Sequence, residues 1–451
     1  MTICENARGT SVAHERGSAG YRRLGAAMWC AGVATFVLVY CAQGILPALA
    51  QRFAVSSSVA SLAMSATTIG LAVAVVPLAT LAEGRRRTRV MTGALALAAV
   101  LEVLAAFSPN FGVLVAVRAM QGVALAALPA LAMSHVTAEV APRGLGAAMG
   151  MLIAGNTLGG LSGRLIAVGA AHFGGWRAAL AVAGVVSLAC MVAFRLLLPP
   201  ARAVAAPRTR LRDLGGALRV QLRDPGLACL YGIGFALMGA FVTLYNYLGF
   251  RLIAPPFSLP ATVTGLIFLA YLAGGYASTA AGRLGDRVGR RRTLWVAVGI
   301  ALVGVWVTVP GHLWTVAVGT LLVTVGFFGA HTLASGWVGR RAALLAGGNP
   351  ALASALYLCA YYLGSSVAGW GGGVVYDHTG WAGVACYISA LLFGAIALAF
   401  ALRRIPVASG TPRSRTSPAS GDRRPGSAES LDGAGQGARP SPVSRGVVDG
   451  G

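Results

Sequence analysis

Residues 282–292 read Gly-Arg-Leu-Gly-Asp-Arg-Val-Gly-Arg-Arg-Arg, and they lie between two apolar runs at about 261–281 and 294–309. Five arginines in so short a stretch favour the cytoplasmic side of a membrane, because Arg-rich loops are poorly translocated. We therefore predict a cytoplasmic turn that joins two membrane helices. Its glycines allow helix ends to approach closely, and Asp286 can pair with Arg or accept from the N–H groups of a helix N-terminus. A plain positive loop would explain the arginines but not the spacing of Gly, Asp and Arg.

The composition is that of an integral membrane protein. Hydrophobic residues make up 56% of the 451 residues, charged residues only 11%, and the mean hydropathy is +0.72, whereas a soluble protein carries about 25% charged residues. The formal net charge of +23 reflects 36 basic residues, all of them Arg. These arginines stand in short clusters between apolar runs, where membrane topology explains them. We therefore exclude nucleic acid as a partner.

Residues that bind metals or form covalent intermediates are sparse. The seven cysteines include no Cys-x-x-Cys pair, and most lie inside apolar runs, as small unpaired core residues do. The predicted membrane segments contain neither His-Glu-x-x-His nor Gly-x-Ser-x-Gly, and the chain has no Walker A motif. We therefore predict no metal, no cofactor and no enzymatic activity.

Twelve apolar segments of about 20 residues follow one another, each long enough to cross a bilayer. With the N-terminus inside, the cytoplasmic loops hold 24 Arg and the outer loops hold three, so the positive-inside rule favours this orientation. A polar stretch rich in Pro and Arg separates the segments six and six. The predicted order is a cytoplasmic segment 1–23, a six-helix bundle 24–198, a cytoplasmic linker 199–225, a second six-helix bundle 226–405 and a disordered cytoplasmic tail 406–451.

The two halves resemble each other at a constant offset of 205 residues. Phe36 and Tyr40 in the first segment recur as Phe241 and Tyr245 in the seventh, and three further short matches keep the same register. Several matches in one register indicate an internal repeat. A parallel repeat of this kind relates the halves by an axis along the membrane normal, and it predicts a substrate site near mid-membrane between them.

The spacing Gly-x-Leu-x-Asp-Arg-x-Gly-Arg-Arg in the opening stretch resembles the loop signature of the major facilitator superfamily. In that family the signature joins the second and third helices of a six-helix half and acts as a cytoplasmic gate latch. The resemblance implies an all-α membrane fold of twelve transmembrane helices in two six-helix repeats. In the first half, Pro77 stands where the signature has Gly and Leu81 where it has Asp. A latch is therefore expected from the second-half loop, with the residues Gly282, Asp286, Arg287, Gly289, Arg290 and Arg291.

Two ionisable residues lie well inside the predicted membrane segments. Arg118 stands about seven residues into the fourth segment, roughly 10 Å from its outer end, and a buried Arg must be paired or face water. Residues 117–122 also resemble the fourth-helix signature Arg-x-x-Gln-Gly, whose Arg takes part in proton coupling in proton-driven members. Glu102 lies at a similar depth on the third segment, which makes an ion pair with Arg118 and a shared coupling role our hypothesis. The alternative is a purely structural role for either residue.

The fifth segment carries the glycine-rich motif Gly155, Asn156, Gly159 and Gly160. It resembles the antiporter signature Gly-Pro-x-x-Gly-Gly of the superfamily, with Asn156 in place of Pro, and that signature marks exporters. Glycines at these positions allow close packing and bending, and packing alone is the alternative interpretation. Arg164 follows near the outer end of the segment and is interpreted as a topological residue.

Polar and aromatic side chains collect on the first, fourth, seventh and eleventh segments. Each phenol or amide in a membrane needs a partner, which a wet cavity can supply, although tyrosines at helix ends also form the interfacial belt. His135 and His331, near the inner ends of the fourth and tenth segments, can titrate near neutral pH, but structural histidines are more common. The residues predicted to line a substrate cavity are Tyr40, Gln43, Gln121, Asn246, Tyr357, Tyr361 and Tyr362.

Together, the motifs at 40–47, 155–164 and 361–366 resemble the acriflavine-sensitivity (YnfM-like) branch of the drug:proton antiporters, over about residues 24–404. The resemblance implies a monomeric secondary transporter of the bacterial inner membrane, with both termini in the cytoplasm. Its partners would be protons, the lipid bilayer and a small organic compound that it exports by alternating access.

Two alternatives remain for the function. Proton-coupled uptake of a sugar or amino acid uses the same fold, but the glycines of the fifth segment disfavour it. A membrane receptor or enzyme would be a different class of protein. The missing catalytic motifs disfavour an enzyme, and the short polar tail, in place of a soluble domain, disfavours a receptor.

Overall fold

The computed structural model describes residues 13–81, 87–200 and 211–405, and within them the regular elements are all helices, apart from one isolated bridge between His14 and Val140. Residues 13–405 lie within one compact unit. Some predicted features fall wholly or partly outside the described residues: the start of the N-terminal segment, the first-half loop, part of the linker and the tail, at 1–12, 82–86, 201–210 and 406–451.

The first half contains six membrane helices, and the last two form one continuous element with a break. At Gly174 and Gly175 the backbone leaves helical geometry, with φ of +66° at Gly175, a conformation that glycine adopts without steric cost. A short helix, Leu46–Phe53, follows the first membrane helix. The membrane helices are Ala19–Gly44, Ser57–Leu78, Arg87–Ala105, Phe111–Glu139 and the two parts of Pro142–Leu197.

The second half repeats this arrangement. The described part of the linker forms the helix Leu211–Arg223, and the last two membrane helices are again continuous, with a break at Gly380, where φ is +66°. This break stands 205 residues after Gly175, in register with the predicted repeat. The membrane helices are Pro225–Ile253, Ala261–Val288, Arg290–Val307, Leu313–Leu344 and the two parts of Pro350–Arg404.

Nine helices in the described ranges are long and apolar enough to cross a membrane. Two of the nine contain a glycine break and therefore supply two crossings each. Arg290–Val307, the ninth membrane helix in chain order, is not among these apolar helices because its first three residues are arginines. Counting it gives the twelve membrane helices and the two six-helix repeats that the sequence predicts.

The Arg-rich turn is much shorter than predicted. The eighth membrane helix extends through Val288 and the ninth begins at Arg290, so that Gly289 alone forms the turn, with φ of +96°. The prediction of a turn over 282–292 was wrong in extent because it followed the apolar runs. Arg has a high helix propensity, so a membrane helix continues in polar residues beyond the hydrocarbon core.

Polar contacts join the two halves at the membrane side opposite the Arg-rich turn. The Asp377 carboxylate, on the eleventh helix, accepts from the Ser57 hydroxyl at 2.6 Å and from the Ser58 backbone N–H at 3.1 Å. Closer to mid-membrane, the hydroxyls of Thr68 and Ser366 lie 2.6 Å apart. Ser366 is in a π-helical turn at Gly364–Ala368, an irregularity that is often found at functional sites.

Candidate functional site

The predicted latch residues lie at the junction of the eighth and ninth helices. Arg290 donates to the Asp286 carboxylate at 3.2 Å, and the Asp286 side chain is 67% exposed. Such an exposed pair contributes little stability. Arg291 lies over the Trp337 ring, 5.6 Å from its centroid, and donates to the Leu402 carbonyl. The role of this loop as a gate stays a prediction.

Three other latch residues differ in their surroundings. Arg287 is exposed. A Cβ atom on Gly282 would meet no atom within 4 Å, so close packing does not require glycine there. At Gly285, which the motif did not single out, a Cβ would lie 2.6 Å from the Leu333 side chain. Among these glycines, Gly285 packs closely against the Leu333 side chain, and the left-handed backbone favours glycine at position 289.

Arg118 and Glu102 form the ion pair that the sequence predicts. Both side chains are fully buried, and Arg118 Nη1 donates to Glu102 Oε2 at 2.6 Å. Gln121 Nε2 donates to the same oxygen at 2.5 Å, and Cys41 Sγ donates to the other carboxylate oxygen at 2.9 Å. Removing either charge would leave the other buried and uncompensated, which is strongly destabilising.

Arg118 also binds backbone oxygens of the first and second helices. Its Nη1 and Nη2 atoms donate to the Leu38 and Val39 carbonyls of the first helix at 2.8 and 3.1 Å. Its Nε atom donates to the Ala63 carbonyl of the second helix at 3.0 Å. Gln121, which was predicted to line the substrate cavity, instead lies inside this group and donates to the Ala98 carbonyl of the third helix.

The glycines of the fifth helix pack it against the first helix. A Cβ atom on Gly159 would lie 2.5 Å from the Val33 carbonyl oxygen, and Gly155 approaches the Trp29 backbone as closely. Asn156 continues this contact, since a Cβ atom on Gly32 would lie 2.7 Å from its side-chain oxygen. The motif thus forms a small-residue interface of the kind that lets membrane helices approach closely.

Gly160 lies on a different face of the fifth helix. A Cβ atom there would lie 3.4 Å from Arg164 Nη1, 3.6 Å from the Tyr271 ring and 3.7 Å from the Tyr40 ring. Tyr271 belongs to the second half and Tyr40 to the first. These are ordinary van der Waals distances, so Gly160 lies at the boundary between the halves in contact with both.

Arg164 lies at the same boundary and is fully buried. Its Nε atom donates to Gln43 Oε1 at 2.6 Å, and its Nη1 atom donates to the Gly160 carbonyl. Gln43 Nε2 in turn donates to Asn246 Oδ1 at 2.6 Å, which links the first and seventh helices. Aromatic rings of both halves surround the guanidinium, whose carbon lies 4.2, 4.6, 5.5 and 5.7 Å from the ring centroids of Tyr40, Tyr271, Phe268 and Tyr245.

The other predicted cavity residues form an aromatic group in the second half. Tyr357 is buried, and its hydroxyl lies 2.9 Å from His331 Nδ1. The His331 and Tyr361 rings pack at a centroid distance of 4.9 Å, and Tyr361 packs edge-on against Tyr362. Tyr361 also interacts with Tyr40 across the two halves. The predicted residues Tyr40, Gln43, Asn246, Tyr357, Tyr361 and Tyr362 thus connect through short contacts, from which Gln121 is separate.

Sequence reasoning missed Arg164. The interpretation as a topological residue rested on its position near the outer end of an apolar run. The helix in fact continues to the break at Gly174, ten residues later, which places Arg164 about 15 Å from that end. The rule that singled out Arg118, that an Arg inside a membrane helix marks function, would have identified Arg164 too.

Comparisons with known proteins agree with this architecture. Residues 28–343 match the family model described as Major Facilitator Superfamily. The chain is 38% identical over 389 residues to the uncharacterized MFS-type transporter YybF of Bacillus subtilis (strain 168), covering 86% of this chain and 95% of the relative. It is also 38% identical over 390 residues to the inner membrane transport protein YnfM of Escherichia coli (strain K12), covering 86% of this chain and 93% of the relative.

Solved structures share the fold at low sequence identity. A bacterial homologue of the human lysosomal transporter Spinster, in an inward-facing and occupied conformation, aligns with a TM-score of 0.70 at 13% identity and covers 86% of this chain and 98% of its own. The nucleoside transporter NupG, in a mutant form, aligns with a TM-score of 0.66 at 14% identity and covers 85% of this chain and 99% of its own.

Proposed function

Because the chain belongs to the major facilitator superfamily of membrane transporters, we propose that it exports a small organic compound in exchange for protons by alternating access. Its motifs resemble those of the YnfM-like branch, and its identity with YnfM agrees with that placement. The observation that carries the proposal is the buried Arg118–Glu102 pair, which is connected through one helix to the boundary between the halves.

That connection runs through one turn and a half of the first helix. Arg118 binds the carbonyls of Leu38 and Val39, while Tyr40 and Gln43 project from the adjoining residues to Arg164. A proton on Glu102 would cancel the negative charge that compensates Arg118. The hydrogen bonds from Arg118 to these carbonyls would then change in strength. Protonation would thereby favour one arrangement of the first helix. A ligand that prefers the other arrangement would be released when the proton binds, which is the linkage that exchange requires.

Alternating access requires the contacts between the halves to break and reform. At one membrane side these are the hydrogen bonds of Asp377 with Ser57 and Ser58. We place this side outside the cell and both termini in the cytoplasm, because the opposite loops carry nearly all the arginines. The Asp286 loop would then act on the cytoplasmic side, and one chain would suffice for the cycle.

The direction of transport rests on the fifth helix. Its Gly155 and Gly159 bring the fifth helix into backbone contact with the first, at the positions where the exporter signature of the superfamily has its glycines. Uptake by symport would use the same helices and remains the alternative. Transport direction in inverted membrane vesicles separates the two, because an exporter accumulates its substrate inside such vesicles.

The test of proton coupling begins with a compound found by growth inhibition in deletion and overexpression strains. Purified protein in liposomes should accumulate this compound when a pH gradient is imposed, and much less without one. Arg118→Ala should abolish the pH-driven part, whereas Arg177→Gln, at an arginine near the outer loop, should leave it intact. Accumulation that ignores the pH gradient in the unmodified protein would rule out proton coupling.

A further inference from the structure

Arg164 is a buried cation that has no acidic partner among the residues that the structure describes. Three ion pairs form within the described residues, Arg118–Glu102, Arg290–Asp286 and Arg341–Asp224, and Arg164 belongs to none of them. Its hydrogen-bond acceptors, the Gln43 amide and the Gly160 carbonyl, are neutral, and so is the Tyr271 hydroxyl that also interacts with it. A guanidinium that is removed from water without a counter-charge is costly. The surrounding rings attract it through cation–π contacts, but they do not neutralise it.

Two hydrogen-bond donors at this place are also unused. Arg164 Nη2 and Asn246 Nδ2 are buried and have no hydrogen-bond partner among the described residues. Gln43 joins the two side chains, because it accepts from Arg164 and donates to Asn246, at 2.6 Å each. The site therefore offers one positive charge and two free N–H donors, which is the complement of an anionic oxygen group.

The position and the walls of this site suit a transported compound. Arg164 lies about 15 Å inside the outer end of its helix, at the boundary between the halves, and transporters bind substrates near mid-membrane between their halves. Tyr40 of the first half and Tyr271 of the second lie on the guanidinium at 4.2 and 4.6 Å. Gly160 lies beside both rings.

We propose that the transported compound is an organic anion, whose carboxylate or sulfonate group binds Arg164 and Asn246 and whose apolar or aromatic body lies against Tyr40 and Tyr271. This inference rests on the proposed function, because it names the chemical class of that compound. Organic cations are excluded from the site by the charge of Arg164 at close range. Since Arg164 is fully buried, the ligand enters when the halves separate and their rings move apart.

Binding can be tested with probes that share a benzene ring and differ in the charge of its substituent. The full-length protein in nanodiscs is heated with benzoate, benzenesulfonate, benzamide or benzylamine at constant chloride, and its melting temperature is recorded. We expect stabilisation that rises with the concentration of the two anions, and at most a small effect of benzamide and benzylamine. Equal shifts for benzoate and benzylamine, no shift with either anion, or the same shift with added chloride alone would overturn the proposal.

Variants identify the residue that binds the anion. Arg164→Gln should weaken benzoate binding by about tenfold or more, because it removes the positive charge of the site. Arg164→Lys keeps the charge but loses the planar fork, and we expect intermediate affinity. Arg177→Gln is the matched control and should bind as the unmodified protein does. Unchanged benzoate affinity in both Arg164 variants would contradict the assignment, and the probe series above stands even if Arg164→Gln fails to fold.

Transport separates this inference from the proposed function. If the compound found by the growth panel is exchanged for protons but is a cation, the anion site is refuted and the exporter remains. If the anions bind through Arg164 but no compound is moved by a pH gradient, the site remains and proton-coupled export is refuted.

Discussion

Glu102→Gln should destabilise the protein by about 3–5 kcal/mol, the usual cost of removing one partner of a buried ion pair. The amide can still accept from Arg118 and Gln121, as Glu102 Oε2 does at 2.6 and 2.5 Å. The substitution therefore removes the charge while it keeps the size and most of the hydrogen bonds. The loss should be read as the cost of an uncompensated Arg118, which is fully buried.

The assay is reversible unfolding in mixed micelles, with the free energy of unfolding compared between variants. Arg118→Gln should show a loss of similar size, and the double variant Glu102→Gln with Arg118→Gln should lose less than the sum of the two, because neither charge is then left alone. A single variant within about 1 kcal/mol of the unmodified protein would refute the reasoning. The free energy lost in Glu102→Gln also limits how strongly protonation of Glu102 can favour one conformation over another. For comparison, a shift of a two-state population from 1% to 99% requires about 5.5 kcal/mol.

The remaining predictions concern the helix contacts and the loops. Gly159→Ala places a Cβ atom 2.5 Å from the Val33 carbonyl oxygen and should destabilise the protein by about 1–3 kcal/mol. The control Gly169→Ala meets no atom within 4 Å and should not destabilise it. Equal melting temperatures of the two variants would contradict this prediction. Asp286→Asn should leave stability within about 1 kcal/mol but strongly reduce transport, and full transport activity would make the loop purely topological. Asp377→Asn should loosen the contact between the halves, so that a cysteine introduced at Ser58 reacts several-fold faster with an impermeant maleimide; an unchanged rate would count against an outer gate.

The sequence was sufficient for the architecture because each element left a local signal. Twelve apolar runs, the clustered arginines and the repeat at 205 residues determine the number of crossings and their division into halves. The extent of the Arg-rich turn was not predictable from hydropathy, since residues 282–288 include three charged side chains and are nevertheless helical. Apolar runs mark the hydrocarbon core of a helix rather than its ends.

The candidate site was only partly predictable because side-chain direction depends on packing. The pairing of Arg118 with Glu102 followed from similar depth on adjacent helices, and it is confirmed. Gln121 stands three residues from Arg118 and was assigned to the cavity, yet it faces the ion pair. Arg164 was missed because an apolar run does not reveal which helix face meets the other half, or that Gln43 and Asn246 lie beside it.

The most direct test of proton coupling through Arg118 and Glu102 uses the double variant Arg118→Gln with Glu102→Gln. It removes both charges, so the protein should fold and still exchange its substrate across liposome membranes down a concentration gradient. We predict substrate affinity within about tenfold, or ~1.4 kcal/mol, of the unmodified protein, and no accumulation when a pH gradient is imposed. Accumulation driven by the pH gradient to the level of the unmodified protein would contradict the account.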